Sequence, residues 1–264
     1  MSVITRKKSL ISAASIALLA IGIGTQPASA AILTFTGQDV GATPADPRPN
    51  SDVAAANFDT AAGVLGAVNV IDFEDAPLGN FAALNIAPGV TATLTGTDTE
   101  GGIVTTPTLF GGTTPNTLGY NTTSGGEKFL GVVPVHDIGT MSVDFSFAEP
   151  IQAFGSYLTG LGTANGDLNV LFDDGTSQML SVVGDSSGGS LFFGFTDAGK
   201  SIASVSLRLT SVMGSRDIFA IDDVRFVAAS SPSSSVPEPS SMLGILGIGT
   251  AVAALALKRK GERF

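Results

Sequence analysis

From Val68 to Val227 apolar residues recur mainly with a period of two, in short runs separated by Gly, Pro, Ser and Thr. Met141, Val143, Phe145 and Phe147 alternate with Ser142, Asp144 and Ser146, and Val205, Leu207 and Leu209 alternate with Ser206 and Arg208. A strand puts successive side chains on opposite faces, so these runs predict half-buried strands. The run Val68–Phe73 is apolar on both parities and predicts a strand buried on both sides. Val90–Thr95, Phe129–Val135, Ile151–Leu158, Leu168–Phe172, Gln178–Val183, Leu191–Phe195, Ile202–Leu209 and Ile218–Val227 supply the others. Asp173-Asp174-Gly175 predicts a hairpin turn, and residues 96–128 predict long loops with short strand pieces. About eight to ten such strands with short connections predict a mainly β domain, an antiparallel β-sandwich of jelly-roll type over 68–229. The regular β periodicity argues against a Rossmann-type enzyme, which needs repeated crossover helices.

Ahead of this domain, residues 31–67 read as an extension. Ile32–Thr36 is strand-like, and Gly41–Asn50 carries three prolines. Ser51 is expected to cap a helix over Asp52–Leu65, with Asp52 in its first turn and a stop at Gly63 or Gly66. It is the single helix expected before the C-terminal segment.

Residues 31–229 hold 21 acidic and 6 basic residues, a formal charge of −15. Such a surface repels phosphate backbones, which argues against a nucleic-acid partner. The chain has no cysteine, so thiolate chemistry and cysteine-ligated metals are excluded. It has no tryptophan, so an aromatic sugar platform would need Phe, Tyr120 or Tyr157.

The two ends carry targeting features. Arg6, Lys7 and Lys8 precede an apolar run, Leu10–Ile23, and Ala28-Ser29-Ala30 offers small residues for signal peptidase; residues 1–30 read as a signal peptide cut after Ala30. A Ser-rich linker, 230–235, joins the domain to a tail at 236–264. There Pro237-Glu238-Pro239 is followed by an uncharged stretch, Met242–Leu257, and by Lys258-Arg259-Lys260. As a helix that stretch is roughly 24 Å long, enough to cross a bilayer if its flanks reach the interface. The basic cluster is expected to stay cytoplasmic, which places the sandwich outside the inner membrane.

The order of these tail elements resembles the PEP-CTERM sorting signal of bacteria, over residues 236–264. The resemblance implies transient insertion in the inner membrane, recognition by an exosortase, cleavage near Pro237-Glu238-Pro239, and delivery to the cell surface or extracellular matrix. More loosely, Val70-Ile71-Asp72-Phe73-Glu74 and Phe219–Phe226 resemble the first and last strands of carbohydrate-binding-like jelly rolls. That resemblance implies a structural calcium ion shared by Glu74 or Asp75 and Asp222 or Asp223. Carboxylate oxygens are the hard ligands such an ion takes.

Nothing else in the residues points to chemistry. His136 stands alone, Asp173 and Asp174 read as turn residues, and Asn121-Thr-Thr123 is a sequon of the kind found by chance. The expected protein is a non-enzymatic surface or matrix component with a structural or adhesive role. Two alternatives stay open: a polysaccharide-binding module, and a hydrolase of surface polysaccharide using a hidden carboxylate pair.

Overall fold

The computed structural model describes residues 32–95, 99–105, 117–134, 140–162, 165–210 and 217–229. The signal peptide, the linker, the sorting tail with its expected membrane helix at 242–257, and His136 lie outside these residues. Among the described residues no helix is long and apolar enough to cross a membrane.

The elements are β1 (Leu33–Val40), α1 (Pro49–Gly63), β2 (Asn69–Ile71), β3 (Gly79–Asn80), β4 (Ala83–Ala87), β5 (Val90–Thr95) and β6 (Thr99–Thr105). They continue with β7 (Lys128–Pro134), β8 (Thr140–Thr159), β9 (Asn165–Phe172), β10 (Ser177–Val183), β11 (Gly189–Thr196), β12 (Ile202–Thr210) and β13 (Phe219–Ala228). All pairings are antiparallel.

Two runs that the sequence separates at Glu149-Pro150 are one strand, β8, of 20 residues. Its first half pairs with β5 and β12, and its second half with β11 and β13. Proline lacks an amide donor, and Pro150 sits where the strand leaves one layer for the other; its carbonyl still accepts from Ala229 N at 2.7 Å. The sandwich is therefore a single hydrogen-bonded sheet folded over at residues 148–150. One layer is ordered β4-β5-β8-β12-β9-β10. The other runs β1-β11-β8-β13, continues through β2 and β7, and ends at β6 and β3.

The alternating runs do what their period predicts. Met141, Val143 and Phe145 of β8, Val205, Leu207 and Leu209 of β12, and Leu168 and Val170 of β9 point inward. They meet Phe154, Leu158, Leu191, Phe193, Phe195, Phe219 and Ile221 from the second layer. At about 25 cal/mol per Å² of apolar area, this shared core is the main stabilising term, and it needs no disulfide.

Four local expectations change. The run Val68–Phe73, expected to be a strand buried on both sides, gives only the short β2, with Asn69 and Val70 exposed. The segment read as an extension contributes β1, which pairs with β11 along its whole length. The helix begins at Pro49, and Ser51 lies inside its first turn instead of capping it. The cap is remote: Asp39 of β1 accepts from Asn50 N at 3.0 Å and Ser51 N at 2.8 Å, and Ser51 Oγ donates to the same carboxylate at 2.7 Å. A negative group at a helix N-terminus satisfies otherwise orphaned amides. Within 96–128, β6 is a seven-residue strand paired to β7.

Helix α1 covers the outer face of the second layer. Ala54, Ala55, Phe58 and Ala62 pack on Ala153, Tyr157, Phe192 and Val227, a second, smaller core. This explains why β11 is buried on both faces.

Candidate functional site

The residues expected to share an ion come from two places in the fold. Glu74 follows β2, and Asp222 and Asp223 lie in β13, where the pairing with β8 shifts register between Asp222 and Arg225. Asp223 there has a positive φ of 48°. A bulge of this kind re-aims side chains, and here both carboxylates are buried.

Segment 117–128 lies across them. Tyr120 anchors it: its hydroxyl donates to Ala42 O at 2.8 Å, its amide donates to Thr159 Oγ1, and that hydroxyl donates back to Tyr120 O. The next residues reach the acids. Asn121 Nδ2 donates to Glu74 Oε1 at 2.8 Å, as do the amides of Glu127 and Lys128, both at 2.9 Å. The amide of Thr122 donates to Asp222 Oδ2; its hydroxyl lies 2.9 Å from Asp222 Oδ2 and 3.1 Å from Asp223 Oδ2, with one proton to give. Thr123 Oγ1 donates to Asp223 Oδ1 at 2.9 Å. Consecutive residues Asn121 and Thr122 thus tie Glu74 to Asp222. Gly126 has no side chain for a steric reason: a Cβ there would lie 2.3 Å from Glu74 Oε1.

One atom of this cluster is unsatisfied. Asp222 Oδ1 is buried without a hydrogen-bond partner. Burial, and secondly the adjacent charge of Asp223, push the Asp222 carboxyl up to about 7, against the bonds from Thr122. An orphaned buried carboxylate oxygen among oxygen donors fits a hard divalent cation. Among the described residues no three acidic or histidine side chains group as a metal site, so hydroxyl and carbonyl oxygens would have to complete the shell. Asp75 is exposed and instead lines a cleft of about 670 Å³ with Asp72, Asn85 and Pro88.

The cluster is braced by two arginines on one tyrosine ring. Arg48 and Arg225 lie 5.2 and 5.3 Å from the Tyr157 centroid. Arg48 donates to Thr122 O at 3.0 Å, and Arg225 to Asp223 O at 2.8 Å. Arg225 Nε and Asp59 Oδ1 are 3.3 Å apart but not aligned for a hydrogen bond, so the contact is a bare ion pair. Tyr157 donates to Asp52 at 2.8 Å; burial first, and then that bond, hold its hydroxyl far above the usual tyrosine range. Sequence reasoning offered Tyr120 and Tyr157 as exposed platforms. Both are buried, and no large aromatic side chain is exposed among the described residues.

The layer containing β10 presents a different surface. In register across it stand Met179, Asn169, Ser206, Asp144 and Thr93, and beside them Ser181, Asp167, Arg208, Ser142 and Thr95. These rows are about 4.8 Å apart from strand to strand and about 6.7 Å along the strands. Thr95 donates to Asp144 at 2.5 Å, and Ser142 and Ser206 share a 3.3 Å bond. Apart from Met179 and Arg208, the result is a grid of short hydroxyl, amide and carboxylate groups.

Residues 235–260 match the PEP-CTERM protein-sorting motif. The match includes Pro237, Glu238, Pro239, Lys258, Arg259 and Lys260, and it implies an exosortase as partner and sorting toward the cell surface or extracellular space. No curated protein matches the chain by sequence. Among solved structures, it resembles the enzymatically active domain of tailspike protein 4 from Bacteriophage CBA120 (15% identity, TM-score 0.36, covering 60% of this chain and 21% of that one). It also resembles a carbohydrate-binding module of the β-sandwich superfamily (15%, 0.33, 60% of each chain). A third likeness is to the family 11 carbohydrate-binding module of Clostridium thermocellum Lic26A-Cel5E (11%, 0.31, 63% of this chain and 98% of that one). These superpositions are loose, and the chain spans about a fifth of the tailspike domain's length. The molecule is thus a mainly antiparallel β protein that carries, at residues 235–260, the PEP-CTERM sorting motif of exosortase substrates.

Proposed function

We propose that this protein is exported by its signal peptide, held briefly in the inner membrane by Met242–Leu257, and processed by an exosortase near Pro237-Glu238-Pro239. The sandwich is then delivered to the cell surface or extracellular matrix. Its role there is adhesive and non-enzymatic, through weak binding of polysaccharide. The observation that carries the reading is the sorting motif at 235–260. Support for the ligand is the grid of Ser, Thr, Asn and Asp on the β10 layer, whose donors and acceptors suit a hydroxyl-rich polymer lying flat. With both tyrosines buried, binding rests on hydrogen bonds alone and is weak, since each contributes a net of only about 0.5–1.5 kcal/mol.

A structural calcium ion shared by Glu74 and one of Asp222 and Asp223, its shell completed by hydroxyl and carbonyl oxygens, belongs to the same proposal. When bound, it would supply positive charge to the unpartnered Asp222 oxygen. The chain's own contribution is to fix those carboxylates through Asn121, Thr122 and Thr123.

The ligand is tested by affinity electrophoresis in gels containing extracellular polysaccharide from the producing cells. Retardation of the protein, reduced severalfold in Asn169→Ala/Asp144→Ala, is expected. Unchanged mobility with and without polysaccharide contradicts the binding role. Release of new reducing ends would make the domain a hydrolase instead.

A further inference from the structure

Strand β10 is the outer edge of its layer. Among the described residues it pairs only with β9, so along its other side it presents unpaired amides and carbonyls. Exposed edges template pairing with other chains, and proteins usually blunt them with Lys, Pro, a bulge or a covering element. β10 shows none of these. Its sequence, Ser-Gln-Met-Leu-Ser-Val-Val, has no charge, proline or glycine, and its pairing with β9 is regular throughout. Met179 is 65% exposed and Val183 60%, on the same face as Leu171 of β9, itself 39% exposed. These apolar groups are spaced along the outer rim of an otherwise polar sheet face.

We infer that β10 docks on β10 of a second copy of this chain, joining two sandwiches edge to edge. Charge sets where two copies can meet. The chain carries a formal −10, so two copies repel over most of their surface. The seven-residue β10 edge is uncharged, and there the repulsion between copies is least. Antiparallel pairing of a strand with itself is also two-fold symmetric. It therefore closes as a dimer instead of propagating a fibre. Centred on Ser181, it sets Ser181 opposite Ser181 of the second copy and Met179 opposite Val183, which gathers both apolar pairs into one patch. The inference does not depend on what the polar grid binds.

The absence of cysteine makes a clean test possible in the full chain. Ser181→Cys is introduced alone and combined with Met179→Lys, with Thr60→Cys on exposed α1 as the control. The proteins are expressed in the producing cells, oxidised, and separated without reductant. Ser181→Cys is expected to give a covalent dimer at least tenfold more abundant than Thr60→Cys. Adding Met179→Lys should abolish that excess while thermal melting stays unchanged, because the position is exposed. Equal cross-linking at Ser181 and Thr60, or a Ser181 dimer indifferent to Met179→Lys, overturns the inference.

Discussion

Phe58 of α1 sits directly on Gly194 of β11: a Cβ at Gly194 would lie 2.8 Å from Phe58 Cδ2. Gly155 of β8 is the register partner of Gly194, and together the two glycines make a floor on which the helix approaches the sheet. Phe35 and Phe192 close the ring in, at centroid distances of 5.9 and 5.7 Å.

Gly194→Ala should therefore overpack this seat and cost about 1–3 kcal/mol. Phe58→Ala should cost about 3–5 kcal/mol through the cavity it leaves. In the double variant the alanine at 194 should cost less than it does alone, because the ring it strikes is gone. Denaturant melts of the four proteins give the coupling. Strict additivity would mean that the helix does not rest on this floor.

Asp39 should make the docking of α1 acid-sensitive. Burial works to raise its carboxyl, but bonds from Ser51 and Asn50 outweigh that and hold it below the ordinary 3.8. With the folded value depressed, the stabilisation is complete above pH 3.8 and is lost as pH falls through the lower folded value. Asp39→Asn should destabilise by about 1–3 kcal/mol at neutral pH and flatten this part of the acid limb. An unchanged acid limb would assign the sensitivity elsewhere.

Asp222 works in the opposite sense. Its folded value of about 7 exceeds the unfolded 3.8. The folded state therefore holds the proton more tightly, and metal-free stability should fall as pH rises between those values. Asp222→Asn should remove that slope. For the wild type at pH 7, calcium should raise the melting temperature, and a chelator should reverse the rise. The variant should lose the calcium response. Identical melts with calcium and with chelator would remove the ion from the proposal.

The two arginines on Tyr157 predict a further loss. Tyr157→Phe keeps the ring under Arg48 and Arg225 but removes the bond to Asp52, and should cost about 0.5–1.5 kcal/mol. Arg225→Ala removes the cation from two rings and from Asp223 O, and should cost more. Thermal melting of the two variants ranks them.

The strand content was legible because a half-buried strand writes its inner and outer faces into local alternation, as Met141–Phe147 and Ile202–Leu209 do. The turn at Asp173-Asp174-Gly175 was legible too; Gly175 has φ 78° and its amide bonds Phe172 O. What escaped depends on partners far along the chain. Ser51 matches a capping residue, but the cap comes from Asp39, which is placed there only because its strand pairs with the distant β11. Glu149-Pro150 looks like a break because the sequence does not show that β8 changes layers there. The tyrosines look like platforms until the fold packs Tyr157 with α1 and seats Tyr120 against Ala42 and Thr159. Glu74, Asp222 and Asp223 come from the resemblance of their strands to carbohydrate-binding-like jelly rolls, whereas Thr122, Asn121 and the unpartnered oxygen of Asp222 follow only from the fold.

The most direct test is sequencing of the C-terminus of the protein recovered from the cell surface and medium, beside a Glu238→Ala variant. The wild type should end near Pro239, without Lys258-Arg259-Lys260, while the variant stays in the membrane fraction with Phe264 intact. Wild-type protein at the surface still ending in Phe264 would contradict exosortase processing.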